Sequence, residues 1–282
     1  MRFLLILYLV FFLSCSGKQK PISTPEVVIN HSNEVYNSDF QSIIDSFDVV
    51  GSILVYDLQN DIYYSNDFEW AKRGNLPAST FKIPNSIIGI ETGIIESDST
   101  IFRWNGEDRW SPTWEKDLTL NEAFHLSCVP CYQELARGIG VQRMNDYIQK
   151  IDYGQIVVDH NTIDNFWLFG DSRISQFQQI SFLRRLFLSK LPITERTEKI
   201  IRKLLVIDQN DEYTLSGKTG LSNENNHYNG WFVGFLETKK NTFFYATNIE
   251  PKEGKQYQGF NNKRKDITMM ALQEMVPIAF FN

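Results

Sequence analysis

The sequence predicts an α+β fold, in which an antiparallel β-sheet is flanked by helices and an all-helical lobe is inserted between its strands. Aromatic and β-branched side chains concentrate near both ends of the chain, which favours strands there. The middle of the chain instead spaces its apolar residues at three and four, as amphipathic helices do. The 282 residues, 42% of them hydrophobic, are enough to bury a substantial core.

The predicted strands fall into two groups. Near the N-terminus, Val49 to Val55 and Ile62 to Ser65 alternate around a short polar segment, which predicts a hairpin. Strand composition returns in three late segments, Tyr213 to Lys218, Gly230 to Glu237 and Thr242 to Asn248. We expect both groups to share one sheet.

Helical periodicity marks four segments in the middle of the chain and one at its end. These are Gln133 to Ile139, Gln142 to Ile151, Ser175 to Leu188, Glu195 to Leu205 and Asp266 to Ile278. No internal repeat is visible. Residues 31–282 are therefore expected to form a single domain.

The N-terminus predicts export to the periplasm. Arg2 precedes an apolar run from Phe3 to Leu13, which is too short to span a bilayer as a helix but suits the centre of a signal peptide. We therefore expect residues 1–14 to be removed.

The end of this apolar run also predicts a lipid anchor. Leu13-Ser14-Cys15 resembles the site at which bacterial lipoproteins are cleaved before a lipid-bearing cysteine, although Phe12 stands where leucine is usual. Two interpretations stay open, a lipid on Cys15 or plain secretion with a free thiol. On the first, residues 15–30 are a polar tether to the outer membrane, and the protein meets the membrane through its lipid alone.

Charge and histidine spacing disfavour two classes of function. The formal net charge is −6, and no stripe of lysine and arginine interleaved with aromatic residues argues for a nucleic-acid partner. The four histidines lie far apart without a metal-binding spacing, so no metal is expected. A small-molecule substrate is the partner that we expect, and the sequence leaves the oligomeric state open.

Ser79 and Lys82 form an S-x-x-K motif, whose spacing on a helix places the hydroxyl and the amine on one face. The motif alone is weak, because a helix start with a solvated lysine has the same pattern. The apolar neighbours Phe81, Ile83 and Ile87 favour a dry environment, in which a lysine loses its proton near neutral pH. Such an amine can take a proton from Ser79 or combine with carbon dioxide to form a carbamate base.

Lys218-Thr219-Gly220 is a K-T-G triplet that follows the predicted strand from Tyr213. The lysine supplies positive charge, the threonine supplies a hydroxyl, and Gly220 lets a ligand approach the backbone closely. The triplet is common by itself. Its combination with an upstream S-x-x-K motif is typical of penicillin-recognising serine enzymes.

Ser127-Cys128-Val129 is the third motif, S-x-V. Penicillin-recognising enzymes of the class A type carry S-D-N at this place. Together with the segments Tyr132 to Ala136, Asp164 to Leu168 and Trp231 to Gly234, the motifs make the chain resemble the class D (oxacillinase-type) serine β-lactamases over nearly its whole mature length. The resemblance implies hydrolysis of β-lactam antibiotics, hence antibiotic resistance. It implies no cofactor beyond the carbon dioxide that carboxylates Lys82.

The resemblance also implies residue roles. Ser79 would be the nucleophile and Lys82 an N-carboxylated general base, with the indole N–H of Trp167 bonded to the carbamate. Ser127 would relay a proton to the leaving nitrogen, and Lys218 would act beside it. The substrate-binding groups would be Val129, Leu168, Thr219, Gly220, Leu221 and Arg264.

Within that set, the backbone N–H groups of Ser79 and Leu221 would form the oxyanion hole, and Arg264 would bind the substrate carboxylate. One departure from the family pattern is Tyr153-Gly154-Gln155, where Y-G-N is common. Tyr153 is therefore a weaker candidate, and the role of Gln155 stays open.

Cys128 and Cys131 make a C-x-x-C pattern. A thioredoxin-like redox site is disfavoured because the preceding segment, Leu118 to Leu126, is helix-like rather than a buried strand. Two buried thiols and a structural disulfide both stay open.

The rival function is a β-lactam sensor or penicillin-binding protein that stays acylated at Ser79 instead of turning over. Such sensors carry membrane-spanning helices, whereas this chain has one short apolar segment. The full class D set, including Trp167, favours the hydrolase.

Overall fold

The computed structural model describes residues 33–253 and 259–276. The predicted signal peptide, the tether with Cys15 and the last two residues of the predicted C-terminal helix lie outside the described residues. Within the described part of the chain, no helix is both long enough and apolar enough to cross a membrane.

A seven-stranded sheet forms the centre of the described structure. Its strands lie in the order β1 (Glu34–Tyr36), β3 (Ile62–Ser65), β2 (Val49–Asp57), β9 (Thr242–Pro251), β8 (His227–Thr238), β7 (Tyr213–Glu224) and β6 (Val206–Gln209). Two further short strands, β4 (Ile101–Phe102) and β5 (Leu118–Thr119), pair with each other. The N-terminal hairpin and the late strands therefore share one sheet, as predicted.

The sheet departs from the predicted antiparallel arrangement at one edge. β1 runs parallel to β3, whereas every other neighbouring pair in this sheet is antiparallel. The reason is the chain path, because the β2–β3 hairpin reverses β3 so that it runs in the same direction as β1 beside it.

The helices are α1 (Ser38–Asp45), α2 (Phe68–Lys72), α3 (Lys82–Glu91), α4 (Leu120–His125), α5 (Val129–Ile139), α6 (Val141–Ile151), α7 (Gln176–Phe187), α8 (Glu195–Leu205) and α9 (Phe260–Met275), with short 3-10 turns at Ala78–Phe81 and Pro112–Trp114. The four predicted central helices are present as α5 to α8. The predicted C-terminal helix begins six residues earlier than expected, at Phe260 rather than Asp266.

The two faces of the sheet bury separate apolar clusters. Leu54 and Tyr56 of β2 contribute to the larger cluster with α3, α5, α7 and α8, whereas Ile53 and Val55 contribute to the second cluster with α1 and α9. Because consecutive strand residues point to opposite faces, one strand supplies both clusters. The helical lobe thus packs on one face and the terminal helices on the other.

Candidate active site

Ser79 lies in the 3-10 turn Ala78–Phe81, and Lys82 is the first residue of α3. The sequence predicted both residues on one helix. The turn is tighter than an α-helix because both the backbone N–H and the hydroxyl of Thr80 donate to the Pro77 carbonyl, at 3.2 and 2.6 Å. The result still brings the side chains together, with Lys82 Nζ 3.3 Å from Ser79 Oγ.

The Lys82 side chain is buried, as its apolar neighbours predict. It is 1% exposed, whereas Ser79 is 7% exposed and therefore reaches the surface of the site. The amine lies 4.8 Å from the ring centre of Tyr132, whose hydroxyl bonds to Ser86 Oγ at 2.8 Å. Burial lowers the pKa of Lys82 to about 7, so the amine is poised to exchange a proton near neutral pH.

The turn that carries Ser79 is anchored from the sheet side. Asn229 Nδ2 and Trp231 Nε1, both on β8, donate to the Leu76 carbonyl at 2.9 and 2.8 Å. Trp231 belongs to a segment that carried the family resemblance, whereas no sequence signal pointed to Asn229. These two side chains hold the backbone three residues before the nucleophile.

Gly220 lies close to the turn that carries Ser79. A Cβ atom there would lie 3.1 Å from Thr80 Cγ2 and 3.2 Å from the Pro77 carbonyl oxygen. This close approach requires glycine, in addition to the ligand approach that the sequence predicts. A side chain at this position would push the turn away from β7.

Ser127 and Lys218 form a second hydrogen-bonded pair in the candidate site. Lys218 Nζ donates to Ser127 Oγ at 2.5 Å and to the Thr219 carbonyl at 3.1 Å. Ser127 lies between α4 and α5 with a positive φ of 53°. Lys218 and Gly220 lie inside β7, which continues to Glu224 and so passes the predicted end of the strand at Lys218.

Three basic side chains lie close together at this point of the site. Burial lowers the pKa of Lys218 well below its ordinary value, and the nearby charges of Lys82 and Arg264 lower it further. Arg264 is 9% exposed and lies in the second turn of α9, not in a turn before the helix. Arg264 and Lys82 thus both lie close enough to Lys218 for their charges to act on it, and an anion bound there would be stabilised.

The remaining predicted binding residues are all half-buried. Val129 and Leu168 are half-buried and pack against the larger cluster, whereas Leu221 packs against the second cluster. Thr219 and Leu221 pair with Phe232 and Gly230 of β8.

The polar segment after Leu221 is part of a hairpin. β7 and β8 continue to a turn at Asn225 and Asn226, whose φ angles of 54° and 65° suit asparagine.

Trp167 is buried beside the nucleophile turn. Its ring stacks on Phe81 with the ring centres 6.3 Å apart, and its carbonyl accepts from the Ala78 N–H at 2.8 Å. Its indole Nε1 is buried without a hydrogen-bond partner among the described residues. A buried donor of this kind is unfavourable unless an acceptor meets it.

Tyr153 contacts Thr80 of the turn that carries Ser79. Its buried hydroxyl lies 3.3 Å from Thr80 Oγ1 and donates to Gln179 Oε1 at 3.2 Å. Burial raises the pKa of this phenol above its ordinary value. Gln155 pairs through its backbone with Arg173, since its N–H donates to the Arg173 carbonyl at 2.8 Å.

Cys128 and Cys131 form a disulfide, so of the two alternatives left open the structural disulfide is confirmed. In the part of the chain that the structure describes, no three histidine, cysteine, aspartate or glutamate side chains are grouped as metal ligands.

Comparison with known proteins gives the class first. Residues 54–269 match the penicillin-binding protein transpeptidase domain, and the chain belongs to that family. The β-lactamase OXA-48 of Klebsiella pneumoniae is 38% identical over 200 residues, covering 71% of this chain and 75% of the relative. The β-lactamase OXA-10 of Pseudomonas aeruginosa is 41% identical over 189 residues, covering 66% and 71%.

Solved structures then narrow the class. The class D β-lactamase of Sebaldella termitidis ATCC 33386 superposes with a TM-score of 0.83 at 34% identity, covering 88% of this chain and 99% of that one. Within the transpeptidase-domain family, this chain therefore belongs to the class D serine β-lactamases. The resemblance inferred from the sequence motifs is confirmed.

Proposed function

We propose that the chain hydrolyses β-lactam antibiotics, penicillins and oxacillin-like compounds among them, through an acyl-enzyme on Ser79. One observation carries this proposal: a buried Ser79–Lys82 pair, 3.3 Å apart, shares the site with a Lys218–Ser127 pair 2.5 Å apart. The first pair supplies a nucleophile with its base, and the second supplies a proton donor for the leaving group.

Substrate binding uses the positive charges of the site. The carboxylate of the β-lactam lies against Arg264, Lys218 and the Thr219 hydroxyl, because a guanidinium fork and an ammonium both favour that anion. The lactam carbonyl oxygen then accepts from the backbone N–H groups of Ser79 and Leu221. Val129 and Leu168 form apolar walls beside the reacting bond.

Acylation begins when the base on Lys82 takes the proton of Ser79. The Ser79 oxygen attacks the lactam carbonyl carbon, the C–N bond breaks, and Ser127 gives its proton to the leaving nitrogen. Because Lys218 donates to Ser127 Oγ, the hydroxyl hydrogen of Ser127 is left to point at that nitrogen. Lys218 then returns a proton to Ser127. The proton taken from Ser79 passes from the base on Lys82 to Lys218, which leaves the base free for deacylation.

Deacylation uses the same base. The base on Lys82 takes a proton from a water molecule, and the resulting hydroxide attacks the ester carbonyl. Ser79 leaves with a proton, and the open product carries a new carboxylate. Ser127 has no leaving nitrogen to serve in this half of the reaction.

Carboxylation of Lys82 makes this base effective. The lowered pKa of about 7 leaves much of the amine neutral, and a neutral amine combines with carbon dioxide with release of one proton. The carbamate supplies an oxygen base that is ionised at neutral pH. Trp167 supports the assignment because its buried Nε1 offers a donor in need of an acceptor.

For the segment before the catalytic domain, we propose export to the periplasm with cleavage after residue 14. We also propose a lipid on Cys15 that anchors the protein to the outer membrane. The support is the apolar run and the cysteine that follows it. Expression of Cys15→Ala should release the protein into the soluble fraction. Unchanged membrane association of that variant would refute the anchor.

The test of the function is steady-state hydrolysis of a penicillin by the purified protein with bicarbonate present, beside Ser79→Ala. Many turnovers that Ser79→Ala loses would establish the hydrolase. One acylation per molecule without turnover would instead indicate the rival sensor or penicillin-binding protein, which the β-lactamase relatives do not favour. Absence of acylation would overturn both.

A further inference from the structure

The disulfide between Cys128 and Cys131 encloses the start of α5, next to Ser127. Cys128 follows Ser127 directly, and Val129 lies inside the four-residue ring that the disulfide closes. Both sulfurs belong to buried residues of the larger cluster. The covalent link is thus built into the segment that carries one proposed proton donor and one proposed substrate contact.

The chain before the disulfide is held in an uncommon conformation. Ser127 has a φ of 53°, a region that residues other than glycine adopt only where their surroundings hold them there. On the N-terminal side, the Ser127 and Cys128 N–H groups donate to Phe124 and Ala123 carbonyls at 3.1 and 2.9 Å. The Leu126 carbonyl accepts from Trp114 Nε1 at 3.0 Å.

On the C-terminal side, the helix start has a weak side-chain cap and a residue that precedes proline. The cap of α5 is Cys128, whose sulfur accepts from the Cys131 N–H at 3.3 Å and is a weaker acceptor than a serine or aspartate oxygen. Val129 precedes Pro130, and a residue in that position disfavours helical backbone angles. α5 nevertheless begins at Val129.

We propose that Cys128 and Cys131 are positioning residues for acylation: their disulfide holds the α5 start so that Ser127 Oγ stays on Lys218 Nζ and faces the leaving nitrogen. The inference rests on the proposed role of Ser127. Without the link, the weak cap and the pre-proline residue let the segment relax. Ser127 is then held in its positive-φ conformation from the N-terminal side only.

A positioning role has a kinetic signature. Ser127 serves the leaving nitrogen, which departs during acylation, whereas deacylation uses the base on Lys82. Loss of the disulfide should therefore slow acylation and leave deacylation unchanged. A purely structural role would lower both rate constants together or lower the melting temperature alone.

The experiment measures both rate constants in single-turnover and burst kinetics with a chromogenic cephalosporin. The variants are Cys128→Ala/Cys131→Ala, Ser127→Ala and the three substitutions together, with the exposed Glu134→Ala of α5 as the matched control. We expect the double cysteine variant to acylate about 10- to 100-fold more slowly, as a misplaced reacting group does. In the Ser127→Ala background, the cysteine substitutions should cause no further loss.

Each other outcome overturns a defined step. If Ser127→Ala slows acylation but the cysteine variant does not, the disulfide has no positioning role and the proposed function stands. If the cysteine substitutions also slow acylation in the Ser127→Ala background, they act independently of Ser127, and the inference is wrong. If Ser127→Ala acylates normally, the proposed role of Ser127 itself fails.

A second measurement covers the case in which the cysteine variant does not fold. The wild-type protein is reduced with dithiothreitol, a dithiol that transfers two electrons and two protons to the disulfide and becomes a cyclic disulfide itself. Thiols are counted before the kinetics. Slower acylation with unchanged deacylation supports the inference, whereas unchanged acylation of fully reduced protein contradicts it.

Discussion

The backbone N–H of Ala78 donates to the carbonyl of Trp167 at 2.8 Å. Ala78 adopts a positive φ of 50° immediately before Ser79, and Trp167 lies far along the chain in a turn-rich segment. This bond therefore ties the nucleophile turn to the segment that carries the buried indole. Lys82, the proposed base, and Trp167, its expected hydrogen-bond donor, are thereby held in position relative to each other.

Trp167→Phe should make activity depend on added bicarbonate. The substitution keeps an aromatic ring beside Phe81 but removes the indole donor. Loss of a hydrogen bond to a charged group costs about 1.5–3 kcal/mol, so we expect roughly 10- to 150-fold weaker retention of carbon dioxide. The measurement is kcat across a bicarbonate titration.

Trp104→Phe is the control for that titration, because the Trp104 indole donates to the Glu107 carbonyl on an exposed segment. Its bicarbonate dependence should match that of the wild type. Trp167→Phe activity that does not respond to bicarbonate would exclude the proposed carbamate.

Lys82→Met should stabilise the fold at low pH. Burial lowers the pKa of Lys82 to about 7, whereas an unfolded lysine has a pKa of about 10.4. Between these values the unfolded chain binds more protons, so the free energy of unfolding rises with pH through this window. Below pH ~7 the folded protein carries the full free-energy cost of a protonated amine at the buried Lys82.

Melting curves without bicarbonate measure this effect. At pH 6 we expect a gain on the order of 5 kcal/mol, or about 10–20 °C in Tm, that shrinks as the pH approaches 10. The exposed Lys190→Met should leave Tm unchanged. A Lys82→Met Tm equal to or below that of the wild type at pH 6 would contradict the prediction.

Arg264→Ala should weaken substrate binding more than the chemical step. The loss of charged hydrogen bonds to the substrate carboxylate predicts a KM raised about 10- to 150-fold. Lys263→Ala is the control, since Lys263 Nζ donates to the Phe47 carbonyl at 2.7 Å. Equal KM values for the two variants would show that Arg264 does not contribute to substrate binding.

Asn229→Ala should slow acylation and lower stability together. Asn229 Nδ2 donates to the Leu76 carbonyl and to Ser222 Oγ, and its Oδ1 accepts from Asn248 Nδ2 at 2.6 Å. Removing these bonds leaves buried partners unsatisfied, at a cost of about 1–3 kcal/mol. The exposed Asn223→Ala of β7 should change neither rate nor Tm, and an Asn229→Ala enzyme with normal acylation would show that the anchor is dispensable.

Sequence patterns predicted the ends of two elements, α9 and β7, incorrectly. The periodicity of α9 predicted a start at Asp266, but the helix begins at Phe260 because Phe260 and Arg264 pack inward among tertiary contacts. β7 likewise continues through the K-T-G triplet because β8 pairs with it along its whole length. In both cases long-range pairing decides the boundary, which local preference cannot show.

The sequence by itself determined the class of the fold, the three motifs and the burial of Lys82, because spacing and apolar neighbours act over short stretches of chain. Only the tertiary structure decided how Ser79, Ser127, Lys218 and Arg264 meet, that Gly220 makes room for the nucleophile turn, and that Asn229 anchors it. These contacts join residues distant in sequence, and no local pattern encodes which distant backbone atom will accept a given side-chain hydrogen bond.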